Sequence, residues 1–169
     1  MSYRVAVICL GNICRSPMAH VVLDDRLRRA GLDDQVEIVS GGTGDWHVGQ
    51  PMDRRAAATL HAAGYDPSRH RARTVTTDWY AENDLLLVMD AANHADLLEL
   101  APTVEAHEQV RMFRSFDPQA RQGDDEVPDP YTGGDEGFRE VLATVERTCD
   151  AIVEQLPALL PSPRGPGTV

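Results

Sequence analysis

Cys9 is followed six positions later by Arg15, and then directly by Ser16 and Pro17. A thiol, a permanent planar cation and a hydroxyl in that order suit nucleophilic attack on a bound oxyanion. Ser16-Pro17 reads as a helix start, with Ser16 as the cap and Pro17 at the first helical position. The free N–H groups and dipole of a helix N-terminus attract an anion. Gly11 and Asn12 tolerate the positive φ that a backbone wrapped around an anion requires. Arg15 presents a rigid fork suited to two phosphate oxygens. The same positive field lowers the pKa of a thiol, to about 3.5–7.5 for cysteines at helix N-termini, and so makes Cys9 a thiolate nucleophile. Leu10, Ile13 and Cys14 complete the loop, the side chain of Leu10 being expected to point inward. The other two cysteines do not repeat the pattern: His20 stands six positions after Cys14, and Gln155 six after Cys149.

The elements that must position this loop alternate in type. Residues 5–8 form a β-branched run read as a buried strand, and the helix opened by Ser16-Pro17 carries Ala19, Leu23, Leu27 and Ala30 before Gly31 ends it. Residues 36–40 read as a second strand, leading into a Gly41–Gly44 loop. Asp53 is placed to cap a helix with Ala56, Leu60 and Ala63, closed by Gly64. Residues 85–89 form the clearest strand, 90–100 the helix after it, and 110–113 a fourth strand. Asp135 is expected to cap a long helix whose apolar stripe runs from Phe138 to Leu156. This alternation predicts an α/β fold, a parallel sheet with helices on both faces. Ligands then sit at the carboxyl ends of strands, which is where Cys9 and the loop after residue 89 lie. One domain is expected over residues 1–156, followed by a flexible Pro/Gly-rich tail over 157–169.

A phosphate ester needs a general acid for its leaving oxygen. Asp66, Asp117 and Asp129 each precede a proline, and spacing alone selects none of them. The motif Cys9-Leu-Gly-Asn-Ile-Cys-Arg-Ser-Pro-Met-Ala19, after an N-terminal strand, resembles the low-molecular-weight protein tyrosine phosphatase family. The resemblance extends over residues 4–156, through Ser40-Gly-Gly-Thr-Gly-Asp-Trp-His47, His70-Arg-Ala-Arg73, Met89-Asp90 and Val127-Pro-Asp-Pro-Tyr131. It implies a small, doubly wound, flavodoxin-like sheet of four parallel strands. It also implies hydrolysis of protein phosphotyrosine through a phosphocysteine, without metal or cofactor. Asp129, in the only Asp-Pro-Tyr motif, becomes the acid and then the base. Ser16 steadies the Cys9 sulfur, Asn12 holds the loop, and Ser40 and His70 support it. Trp46 and Tyr131 become the walls for an aromatic ring. Thr132, Leu10, His20 and Gly41 stand where relatives often carry Tyr, Thr, Glu and Ala. Loss of the second tyrosine is expected to weaken or retune action on aromatic substrates.

Two other activities known on this fold compete. Arsenate reduction calls for a further cysteine pair near the loop after residue 89, and residues 85–106 contain no cysteine. Phosphoarginine hydrolysis tends to go with Thr after the loop asparagine, where this chain has Ile13. A non-enzymatic phosphate-binding module or thiol redox sensor is a third reading; a Cys9–Cys14 disulfide is geometrically feasible across the loop and is read as reversible protection of the thiol, not as the function. The chain has 169 residues and a net charge of −11, which disfavours nucleic acid as a partner. All its cations are arginines. No apolar run is long enough for membrane insertion, and no basic-then-apolar leader opens the sequence. Three cysteines point to a reducing compartment, so a cytoplasmic location is expected. The six histidines form no ligand pair at helical spacing, and no metal site is expected.

Overall fold

The computed structural model describes residues 2–161. Its sheet has four parallel strands in the order β2-β1-β3-β4, where β1 is Tyr3–Cys9, β2 Val36–Gly42, β3 Leu85–Val88 and β4 Val110–Met112. The principal helices are α1 (Arg15–Arg29), α2 (Arg54–Ala62), α3 (Trp79–Glu82), α4 (Ala91–Leu100) and α5 (Asp135–Leu159).

Alternation along β1 divides the core in two. Val5, Val7 and Cys9 join a cluster with Met18, Leu23, Phe138 and Ile152 of α1 and α5, together with Leu60 of α2. Ala6 and Ile8 join the opposite cluster with Trp79 and Tyr80 of α3 and Leu97 of α4. Successive strand side chains point to opposite faces. The same parity that buries Val5 and Val7 against α1 therefore sends the Cys9 thiol to the α1 side, where the loop 10–14 closes over it. The stripe expected on α5 is the one buried: Phe138, Val141, Leu142, Val145, Cys149, Ile152 and Leu156 all lie in the core.

Several local expectations differ in detail. The α1 helix begins at Arg15, so Ser16 lies inside its first turn and is not the cap; its hydroxyl is turned instead to Cys9 and Asn12. Asp135 is likewise the first helical residue of α5 after Gly134, and complements the helix dipole without a side-chain cap. Asp53 does cap α2, accepting from the Arg55 N–H at 2.8 Å. The α5 helix continues through Pro157 to Leu159, past the boundary expected for the tail, and residues 162–169 lie outside the described residues. The short α3 helix was not foreseen; one turn offers too little periodicity to be read.

Gly41 and Gly42 are strand residues, paired with Ile8 and Cys9, where a loop was expected. A Cβ at Gly41 would come within 2.7 Å of the Trp79 ring, which fills the space that an alanine would take. A Cβ at Gly42 would come within 2.6 Å of the Leu10 carbonyl oxygen, so loop 10–14 rests directly on this glycine. Gly42→Ala is therefore expected to push the loop off β2 and cost about 1–3 kcal/mol, the usual range for overpacking. Denaturant unfolding checks this, and an unchanged midpoint would contradict it.

Candidate active site

The loop between β1 and α1 is tied down through its carbonyls. The Cys9 carbonyl accepts from Thr43 N–H at 2.9 Å, that of Leu10 from Gly44 at 2.9 Å, and that of Ile13 from Asp53 at 2.9 Å. The Cys14 carbonyl accepts from Met18 at 3.1 Å, and His70 Nε2 lies 2.6 Å from the Asn12 carbonyl. By contrast, among the described residues no hydrogen bond uses the N–H of Leu10, Gly11, Asn12, Ile13 or Cys14. Carbonyls anchored to the scaffold and amides left free make a cradle for an anion.

Asn12 sets this shape. It is the one non-glycine residue with positive φ among those described, at 56°. Its fully buried side chain donates to Ser16 Oγ at 2.8 Å and Ser40 Oγ at 3.2 Å, and accepts from the Arg73 N–H at 2.9 Å. The three partners fix which way the amide faces. Ser16 Oγ, which accepts from Asn12, lies 3.0 Å from the Cys9 sulfur and 3.4 Å from the Gly41 carbonyl, the two groups within reach of its hydroxyl hydrogen. Ser40 Oγ, which also accepts from Asn12, lies 3.3 Å from His20 Nδ1.

Arg15 is 2% exposed. A buried charge without partners costs several kcal/mol. Arg15 Nη1 donates to Asp90 Oδ2 at 2.7 Å and to the Val127 carbonyl at 3.0 Å, and Nη2 faces Asp129 Oδ2 at 3.6 Å. Burial works to discharge the guanidinium, but Cys9, Asp90 and Asp129 more than offset it and hold its pKa above the ordinary arginine value. Asp129 is half-exposed; its Oδ1 accepts from the Tyr131 N–H at 3.1 Å, a turn that directs Oδ2 at Arg15.

Cys9, Leu10, Gly11, Ile13, Cys14, Arg15, Trp46, Asp129 and Tyr131 line one cavity of about 130 Å³. Asn12, Ser16, Ser40 and His70 stand behind it and hold its floor. Leu10 corrects an expectation: its side chain points outward and is 41% exposed, because its backbone rather than its side chain contacts Gly42. All three cysteines are free. Cys149 is sealed in the core, with its thiol pushed up by burial. Burial also pushes the Cys14 thiol up, reinforced by Asp53, Cys9 and Asp129, so Cys14 stays protonated beside Cys9. Among the described residues no cluster of three potential ligands could hold a metal ion.

Sequence reasoning missed three contributors. Asp90 anchors Arg15, a role signalled only by its place after β3. His47 lines the cavity with its ring 6.4 Å from that of Tyr131. Arg55 donates to the Tyr131 and Gly133 carbonyls at 2.7 and 2.9 Å and so braces the segment carrying Asp129. Nothing in spacing signals Arg55, because it acts on backbone far along the chain.

The profile of the family described as "Low molecular weight phosphotyrosine protein phosphatase" matches residues 4–159. The chain belongs to this family. It is 47% identical over 146 residues to a low molecular weight protein-tyrosine-phosphatase of Streptomyces coelicolor, covering 86% of this chain and 88% of that one. It is 48% identical over 143 residues to low molecular weight protein-tyrosine phosphatase A of Mycobacterium bovis, covering 85% of each. The crystal structure of a protein tyrosine phosphatase from Entamoeba histolytica superimposes with a TM-score of 0.87 at 30% identity, covering 93% of this chain and 98% of that one. The fold and the cysteine-based phosphatase chemistry inferred from sequence are those of the family. No described helix is long and apolar enough to cross a membrane.

His20, packed behind the loop beside Ser40, brings its own pH dependence. Burial lowers its pKa from 6.5 to about 4, with Asp24 opposing and His70 and Arg73 adding to the fall. Burial lowers His70 as well, against the pull of the Asn12 carbonyl. The unfolded chain therefore takes up the His20 proton before the folded one does. The stability from neutral His20 is present above pH 6.5 and is lost as pH falls toward 4. Unfolding free energy measured across that window is expected to fall more steeply for the native chain than for His20→Gln. Parallel profiles would contradict this.

Proposed function

We propose that Cys9, Arg15 and Asp129 carry out hydrolysis of protein phosphotyrosine through a phosphocysteine. The single observation behind this reading is the loop in which the carbonyls of Cys9, Leu10, Asn12, Ile13 and Cys14 are hydrogen-bonded to the surrounding structure while the amides of residues 10–14 are left without partners beside Cys9. The dianionic phosphate sits among those amides, with the Arg15 fork on two of its oxygens. The Cys9 sulfur attacks phosphorus in line, and Asp129 protonates the departing phenolic oxygen. Ser16, at 3.0 Å, donates to the sulfur and eases its departure when water attacks the phosphoenzyme. Asp129 then serves as base for that water. Positive charge comes from Arg15 and the amides, so no metal is needed, and positioning with electrostatics supplies most of the rate.

Trp46 and Tyr131 line the cavity at 67% and 48% exposure and offer flat faces suited to packing a phenyl ring. Ser40 and His70 support the loop through Asn12. The substrates on this reading are phosphotyrosine-bearing proteins of the cytoplasm, a location supported by three unpaired cysteines. Free phosphate and related oxyanions occupy the same cradle and compete.

Hydrolysis of p-nitrophenyl phosphate and of a phosphotyrosine peptide, both in EDTA, tests the roles. Cys9→Ser is expected to abolish turnover. Asp129→Asn is expected to lower kcat by about 10²–10⁴-fold, the range for loss of a general acid. Retained activity in Cys9→Ser, or abolition of wild-type activity by EDTA, would overturn the mechanism.

A further inference from the structure

The catalytic cavity continues past Leu10 and Trp46 into a second groove of about 460 Å³, and both residues line both spaces. The groove runs between the end of β2 and α4. Its apolar floor is Val75 and Leu97, with Leu100 at the far end. Leu10, Trp46 and Leu100 are 41%, 67% and 36% exposed, so apolar side chains are offered both at the mouth of the site and in the groove. Asp96 and Glu99 edge it, and the lining holds no cation. Asp96, Glu99 and Leu100 stand three and four residues apart on α4, which puts them on one face. Among the described residues neither carboxylate has a cationic partner.

Thr43 lines the groove, and its hydroxyl oxygen is buried with no hydrogen-bond partner among the described residues. Trp46 is held as the wall between the two spaces because Gly44 lacks a Cβ; one built there would overlap the indole ring, at 2.0 Å. The larger groove between α2 and α5, about 910 Å³, shares no lining residue with the catalytic cavity and has no such continuity.

We propose that the α4 groove is a substrate subsite reading the residues that flank phosphotyrosine. It takes an apolar side chain against Leu10, Trp46 and Leu100, and an arginine or lysine beyond it against Asp96 and Glu99. This rests on the phosphotyrosine reading above and names the sequence class that reading leaves open. An acidic groove disfavours acidic flanks by like-charge repulsion, so selection comes from both attraction and rejection.

Phosphotyrosine peptides with Leu adjacent and either Arg or Glu next beyond it, built on either side of the phosphotyrosine, test this. The wild type is expected to prefer the Arg over the Glu peptide about fivefold in kcat/KM on one of the two sides, mainly through KM and less at high salt. Asp96→Arg with Glu99→Arg is expected to reverse that preference and leave p-nitrophenyl phosphate turnover unchanged, since neither residue lines the catalytic cavity. Leu100→Ser is expected to erase the preference for Leu over Gly next to the phosphotyrosine. Equal use of Arg and Glu peptides by the wild type, or an unaltered preference in the charge-reversed variant, would overturn the subsite while leaving the phosphatase intact. Failure of the wild type on p-nitrophenyl phosphate and on every peptide would overturn the underlying phosphotyrosine reading as well.

Discussion

A loop can cradle an anion only if its amides face inward, and its carbonyls must then find partners elsewhere. Nearly everything around residues 9–14 meets that demand. Thr43 and Gly44 at the end of β2, Asp53 at the cap of α2, Met18 in α1 and His70 each take one carbonyl. The turn itself depends on Asn12, whose positive φ costs energy that three side-chain hydrogen bonds offset. These holdings come from four parts of the chain, so the loop is shaped by the tertiary fold and not by its own sequence.

The charge of the site is governed the same way. Arg15 is buried where only a carboxylate and a carbonyl can hold it, and Asp90 and Val127 are delivered there by the end of β3 and the segment that follows Glu126. That segment also brings Asp129 to Arg15, and Arg55 braces it by its carbonyls. Acid, cation and nucleophile thus converge because β1 and β3 are neighbours in the sheet with Asp90 directly beyond β3.

The parts legible in the sequence were those whose signal is local. The β-branched run of β1, the stripe of α5, the Asp53 cap and the Cys9–Pro17 loop each declare themselves within a few residues. The resemblance then supplied Asp129, Trp46 and Tyr131, which spacing alone left undecided. Ser16 illustrates the limit: serine before proline is a good cap, but the hydroxyl is claimed by a sulfur and an amide that only the fold brings near. Leu10 was expected to point inward, whereas contact with Gly42 is made by its backbone and its side chain is exposed. Asp90 and Arg55 were missed since each acts on a partner at least 75 residues away.

The central claim is that the cradle exists to pass a phosphoryl group through Cys9. Rapid acid quench of the enzyme during p-nitrophenyl phosphate turnover, followed by mass analysis of its peptides, tests that most directly. A phosphoryl adduct on the peptide bearing Cys9, appearing and decaying at rates compatible with turnover, is the expected result. Turnover with no adduct, or an adduct on any other residue, would contradict it.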